Sequence, residues 1–176
     1  MEIKKLNLGS GIKPFRGFIN LDIKKYPGVD VVHDLEKFPY PFKDNTFDYV
    51  HAEDVIEHLT NIPEVMKEIH RISKPGAVVE IKVPYFRSES AFDDPTHKTF
   101  FTYKTFDHFT NKIHPEVPMK IYLFDYLKKE FKFRKSYKVI GISLLAKRFP
   151  HFYETLLSHI FPAGGMDIVL RVRKQK

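Results

Sequence analysis

The amino-acid sequence predicts an α/β domain built on an open, twisted, mostly parallel sheet. Three observations carry that prediction. Short β-branched or aromatic runs recur through the first half, at residues 3–8, 18–23, 30–33, 47–52 and 77–84, with the spacing of strands in one sheet. Between the fourth and fifth runs, Ile62, Val65, Met66, Ile69 and Ile72 follow helical spacing, and Lys74-Pro75-Gly76 ends the helix. A strand, helix, strand unit closes economically as two parallel strands joined by a right-handed crossover.

The elements follow in chain order. The first strand runs into Gly9-Ser10-Gly11, and only residues 9–18 separate its Leu-Asn-Leu core from that of the second strand. A helical crossover needs a dozen residues or more, so a loop or a single turn is expected there. Residues 34–45, between the third and fourth strands, are too rich in Pro and Phe for a long helix and should be irregular. After the fifth strand, residues 85–114 loosen into aromatics, hydroxyls and histidines, the pattern of an insertion or lid. Residues 121–131 read as a helix or a strand, and 135–145 and 166–174 read as the final strands. Between these, Phe149, Phe152, Tyr153, Leu156, Leu157, Ile160 and Phe161 form an amphipathic helical stripe, expected to pack on the sheet, with a membrane-surface helix as the alternative.

A chain of 176 residues with no internal repeat is expected to be one domain over 1–176. No apolar run approaches the roughly 20 residues of a membrane-spanning helix, and the charged N-terminus does not read as an export signal, so the expected location is cytoplasmic. The absence of cysteine excludes disulfides, thiolate metal sites and cysteine nucleophiles. The net charge of +7 is matched by residues 112–148, where ten Lys or Arg face three acids. Such a segment is either a solvated face or a surface for a nucleic acid or acidic protein.

The glycines stand where ligands bind in such sheets, at the loop after the first strand. Glycine there permits positive φ and lets a ligand reach main-chain N–H groups. Asp22 closes the second strand and can accept two hydrogen bonds from a ribose diol, while Asp34 and Leu35 close the third strand and suit an adenine edge. Each acid alone is equally well a turn or cap residue. Together with the loop they outline a trough for adenosine. The GxGxxG dinucleotide fingerprint and the GxxxxGK[ST] phosphate loop are both absent, which favours an adenosine cofactor without phosphates.

The stretches LNLGSG, GFINLDI, DVVHDLEKFPYPFKDNTFDYVHAEDVIEHL and EVMKEIHRISKPGAVVEIKVPYF together resemble the class I S-adenosylmethionine-dependent methyltransferases over residues 5–110. The resemblance implies a Rossmann-like three-layer sandwich with a seven-stranded, mostly parallel sheet whose last strand is antiparallel. It also implies S-adenosyl-L-methionine as cofactor, with Gly9, Ser10 and Gly11 against the methionine portion, Asp22 on the ribose, Asp34 and Leu35 on the adenine, and Glu53 near the methyl-donor end. Asn7 departs from the pattern, since a carboxylate is common at that position. Weaker cofactor binding, or compensation by a nearby acid, is the consequence.

The acceptor side is less determined. Methyl transfer to a hydroxyl or amine needs an aligned nucleophile and removal of its proton. His97 is the candidate base, with Asp94 to orient it, although Asp94-Pro95 also suits a turn. His58 reads as a packed histidine, and His108 and His114 have no partner visible in sequence. No ligand spacing compels a metal site from Asp94, His97 and another histidine. The expected acceptor is a small or medium-sized molecule; the alternatives are RNA or protein methylation through segment 112–148, or a non-catalytic scaffold that binds the cofactor.

Overall fold

In the computed structural model, residues 3–110, 122–135, 137 and 141–174 are described. Seven strands form one sheet: β1 (Lys5–Leu8), β2 (Ile19–Asp22), β3 (Val31–Val32), β4 (Phe47–Glu53), β5 (Ser73–Pro84), β6 (Phe124–Lys132) and β7 (Gly165–Val172). Their spatial order is β3-β2-β1-β4-β5-β7-β6. The pairs β3–β2, β2–β1, β1–β4 and β4–β5 are parallel, and β7 runs antiparallel to both β5 and β6. This is the predicted sheet. The chain winds from β1 outward to β3 and then returns to β4 on the other side of β1, which places a topological switch beside the loop after β1.

Alternation within each strand fixes what is buried. Leu6 and Leu8 of β1, Val50 and Ala52 of β4, and Val79, Ile81 and Val83 of β5 are almost wholly buried. The helix α1 (Ile62–Ile72) begins at Asn61, whose side chain accepts from the Glu64 N–H, and has Pro63 in its first turn. Its residues Val65, Met66, Ile69 and Ile72 have no exposed surface, each contributing about 1.5–3 kcal/mol. On the opposite side of the helix Arg71 binds Glu68, Asp44 and the carbonyls of Tyr40 and Phe42, and Glu68 accepts from the Tyr40 N–H. These bonds fasten the helix to the irregular 34–45 segment.

The loops expected after β1 and β3 are observed, with no helix in either. Of residues 121–131, left between helix and strand by their pattern, 124–131 belong to β6 and residue 121 lies outside the described residues. The reading of 135–145 as a strand is corrected. Among its described residues, Ile142 onward forms α2 (Ile142–Arg148), with Ala146 buried and Ile142 and Leu145 packed on the core. That is helical spacing, and β6 already occupies the outer side of β7 from Phe124 opposite Val172 to Lys132 opposite Gly165. Within the 149–161 stripe residues 150–157 are helical, as α3 (Pro150–Phe152) continuing into a π-helical turn at Tyr153–Leu157. Tyr153 is its buried anchor, while Phe149, Phe152, Leu156 and Ile160 are all about half or more exposed. No helix among the described residues is long and apolar enough to cross a membrane.

Beyond β5, two short 3-10 turns at Glu89–Ala91 and Thr105–Phe109 carry the chain over the sheet end. Phe101, Phe106 and Phe109 are buried, and Tyr85 bridges to Phe101. Lys98 and Thr99 donate their N–H groups to the Glu57 carbonyl. Most of these aromatics therefore serve the core beneath the segment, and residues 111–114 of the expected insertion lie outside the described residues.

Candidate functional site

A trough of about 600 Å³ opens at the carboxyl ends of β1 to β4, lined among others by Gly9, Gly11, Asp22, Tyr26, Asp34 and Leu35. Of these, Gly9, Gly11, Asp22, Asp34 and Leu35 were expected from the sequence and lie together here, while Tyr26 was not singled out. Gly9 has φ +64°, and a Cβ there would stand 2.3 Å from Cγ2 of Val55, which lines the same trough. A bare α-carbon is therefore needed for the close approach of the chain after β4. Gly11 has φ +53° with open space around it, so only its backbone conformation is special. Its N–H donates to Asp22 Oδ2 at 2.8 Å, and Lys24 N–H donates to the other carboxylate oxygen at 3.0 Å. Asp34 Oδ1 accepts from the Glu36 N–H at 2.9 Å. Both acids thus shape their own turns while keeping acceptor capacity, since a carboxylate has about four lone-pair positions.

A smaller cavity of about 260 Å³ adjoins the glycine loop and is lined by Asn7, Ser10, Lys13, Phe15, Glu53 and Asp54 among others. Asn7 is buried and donates through Nδ2 to Asn20 Oδ1 at 3.1 Å, across the β1–β2 ladder that sets the two residues opposite each other. The Ser10 hydroxyl is buried with no hydrogen-bond partner among the described residues. The departure at Asn7 is accompanied by two acids in the same cavity, Glu53 and Asp54. Glu53 ends β4, accepts from Lys82 Nζ at 3.0 Å and lies 3.1 Å from His51 Nε2. Burial works against ionisation of Glu53, yet Lys82 and His51 hold its carboxyl below the usual range. Asp54 has a left-handed φ of +50°, and burial beside Glu53 raises its carboxyl.

Next to the trough lies a cavity of about 560 Å³, and the two share Asp54, His58 and Asp94. His97 lines it, as does Glu57, which the sequence analysis did not single out. Glu57 belongs to the 3-10 turn Ile56–His58, its side chain is 1% exposed, and neither carboxylate oxygen has a hydrogen-bond partner among the described residues. Burial pushes its carboxyl up to about 7. His97 Nε2 faces Glu57 Oε1 at 3.9 Å, while its Nδ1 lies 3.0 Å from the Ala91 carbonyl. The rings of His58 and His97 meet edge to face at 4.7 Å.

The expected orientation of His97 by Asp94 is corrected by this geometry. Asp94 Oδ1 instead accepts from the N–H and the hydroxyl of Thr96, at 2.8 and 2.7 Å, in the tight turn that Asp94-Pro95 also allowed. Thr96 Oγ1 in turn meets His58 Nδ1 at 2.9 Å, so Asp94 acts on His58 through Thr96. His58 is accordingly part of the cluster and not merely packed. In sequence an acid set between Ile56 and Leu59 carries no sign of whether it is buried.

The basic segment is partly neutralised where it is described. Lys128 pairs with Glu130, Lys129 with Asp107, Lys132 with Asp167 and Arg134 with Glu89, at 2.5–2.9 Å. Lys112, Lys120 and Lys138 lie outside the described residues, as does His114.

Comparison with known proteins finds methyltransferases among both the similar sequences and the similar structures. Residues 10–81 match the sequence family described as a methyltransferase domain. A stretch of 57 residues is 35% identical to demethylmenaquinone methyltransferase of Lysinibacillus sphaericus, covering 32% of this chain and 24% of that protein. A stretch of 38 residues is 50% identical to sterol 24-C-methyltransferase of Schizosaccharomyces pombe, covering 22% of this chain and 10% of that one. The chain thus spans a quarter or less of the curated relatives it matches. Among solved structures, a SAM-dependent methyltransferase from Archaeoglobus fulgidus superposes with TM-score 0.63 at 17% identity, over 96% of this chain and 86% of that one. Phosphoethanolamine N-methyltransferase 2 of Haemonchus contortus, in complex with S-adenosyl-L-methionine, superposes with TM-score 0.62 at 17% identity, over 99% and 50%.

Proposed function

We propose, for a chain that carries the class I S-adenosylmethionine-dependent methyltransferase domain on its Rossmann-like sheet, that it methylates a small or medium-sized acceptor seated in the cavity beside its cofactor trough. The observation that carries this reading is the convergence of a side-chain-free loop and two carboxylates on successive strand ends in one trough. The residues fit the cofactor. Asp22 would take the ribose hydroxyls, and Asp34 with Leu35 the adenine. Gly9, Gly11 and the partnerless Ser10 hydroxyl would lie along the methionine portion, with Glu53 and Asp54 supplying the negative charge that Asn7 lacks.

When bound, S-adenosylmethionine supplies a methyl group activated by its sulfonium. The chain's own contribution is placement and proton handling. The trough and the second cavity meet at Asp54, His58 and Asp94, so a donor in one and an acceptor in the other approach each other across these residues. As the acceptor oxygen or nitrogen bonds to the methyl carbon, the carbon–sulfur bond breaks with its electron pair passing to sulfur, and the acceptor's proton passes to a lone pair of the His97–His58–Glu57 group. Residues 85–110 contribute Ser90, Asp94 and His97 to the wall of the second cavity, which stays partly open to solvent.

Calorimetric titration with S-adenosylmethionine tests the reading. Asp22→Ala and Asp34→Ala are expected to weaken binding about 10- to 100-fold, the effect of losing one or two hydrogen bonds to charged acceptors. His97→Ala is expected to retain cofactor binding and lose transfer of labelled methyl to components of a cell extract. Wild-type protein that does not bind the cofactor would overturn the proposal. Full transfer by His97→Ala would remove the acceptor-side assignment alone.

A further inference from the structure

The cluster beneath residues 85–110 has a property that proton transfer alone does not require. Glu57, His58 and His97 each present one ligand-type atom, and these three atoms lie within 4.8 Å of one another. The tautomers are set by their neighbours. The Ala91 carbonyl can only accept, so the neutral His97 ring carries its proton on Nδ1 and keeps a lone pair on Nε2, the atom that faces Glu57. Thr96 Oγ1 gives its hydrogen to Asp94, so it accepts from His58 Nδ1 and leaves the lone pair of His58 on Nε2. Hydrogen bonding of one ring nitrogen to a carbonyl or to a carboxylate-linked group is the usual support of a metal-bound histidine.

Glu57 supplies the independent observation. A carboxylate 1% exposed with two partnerless oxygens is an uncompensated buried charge, a situation proteins resolve by pairing, by protonation or by a bound cation. No lysine or arginine contacts it among the described interactions. The surrounding cavity is itself acidic, with Glu53, Asp54, Glu57, Asp94 and Asp167 set against Lys82 and Lys132. We infer that Glu57, His58 and His97 form a binding site for a divalent first-row transition-metal cation, at the boundary between the cofactor trough and the acceptor cavity. Two imidazoles and one carboxylate without thiolate suit zinc, manganese, ferrous iron or cobalt in preference to calcium or magnesium. Ligand atoms about 3.4 Å apart surround a metal with bonds of roughly 2.1 Å, so modest side-chain rotation completes the site.

Three protein ligands leave coordination positions for water or for an oxygen of the acceptor. That use deepens the proposed methyl transfer and rests on it: the cation holds and polarises an acceptor hydroxyl beside the donor, the hydroxyl proton leaves to water in the open cavity, and with the cation bound His97 is a ligand in place of the base it is in the metal-free protein. Cation binding itself does not depend on the methyl-transfer reading.

Cobalt(II) chloride is the direct probe, added to full-length protein stripped with a chelator and followed by calorimetry and by visible absorption of the coordinated ion. One equivalent per chain is expected, displaced by zinc more effectively than by manganese. Glu57→Gln and His58→Ala should each weaken binding at least tenfold, and His159→Ala, a surface control, should leave it unchanged. The His58 ring is only partly buried, so that variant keeps the test valid should Glu57→Gln or His97→Ala fold poorly by circular dichroism. Absence of stoichiometric binding, or binding indifferent to both substitutions, overturns the inference. The same preparations are titrated with S-adenosylmethionine: cobalt binding without cofactor binding removes the methyl-transfer reading and leaves the cation site, and the reverse removes the site.

Discussion

At the residue scale, the two glycines of the first loop look alike in sequence and differ in what they do. Both have left-handed φ, but only Gly9 lies against a neighbour, with Val55 at a distance no Cβ tolerates. Gly11→Ala should cost about 1 kcal/mol, the ordinary penalty of a left-handed alanine. Gly9→Ala adds a clash with a residue lining the trough and should cost more than about 2 kcal/mol while also weakening cofactor binding. Chemical denaturation of a double-mutant cycle with Val55→Ala separates the two causes: a coupling near 1 kcal/mol is expected for Gly9 and none for Gly11. Equal costs at both glycines, without coupling, would show that conformation alone made them necessary. The sequence identified the loop through its glycines taken together with Asp22 and Asp34, since glycines alone suit any tight turn. It could not reveal Val55, because a contact between residues 46 apart in the chain leaves no local pattern.

At the element scale, what the sequence made legible was whatever periodicity and punctuation encode. Six strands, β1 to β5 and β7, and α1 were readable because buried positions recur every two residues in one case and every three or four in the other. Residues 142–145 were misread because a short apolar run satisfies either period, and only the occupied flank of β7 decides between them. The acid pair Asp22 and Asp34 was readable from strand ends, whereas Glu57 was not, since one acid in an apolar turn has the same appearance whether it is exposed or buried. The irregular 34–45 segment was legible as non-helical, but its anchoring by Arg71 was not. Burial alone would raise the Glu68 carboxyl, and Arg71 with the Tyr40 N–H overcomes this and holds it below the usual range. A depressed folded pKa contributes stability above the unfolded value near 4.5, and that contribution is lost as pH falls through the folded value. Arg71→Ala is therefore expected to cost about 2 kcal/mol near neutral pH, with the deficit shrinking in urea melts carried down to about pH 3. A deficit that stays constant over that range would mean Arg71 acts through packing.

At the scale of the whole molecule, the topological switch sets two binding cavities side by side, and they share three residues. Ligands in adjacent cavities with common walls are thermodynamically linked, and the sign of the linkage follows from charge. Five carboxylates against two lysines make the second cavity electronegative. The donor carries a sulfonium charge that its demethylated product lacks, so the metal-free protein should bind S-adenosylmethionine more tightly than S-adenosylhomocysteine. A divalent cation on Glu57, His58 and His97 offsets part of that field and should narrow the preference about 3- to 10-fold, equivalent to about 0.7–1.4 kcal/mol. Added salt should narrow it in the metal-free protein as well, because screening acts on the same field across a partly open cavity. Parallel titrations of the two compounds, with and without cobalt(II), measure this directly. By reciprocity the product should then leave cobalt affinity higher than the donor does, and the two ratios must agree. A preference that cobalt leaves unchanged would mean that the acids do not face the sulfonium, and the donor would have to lie differently in the trough.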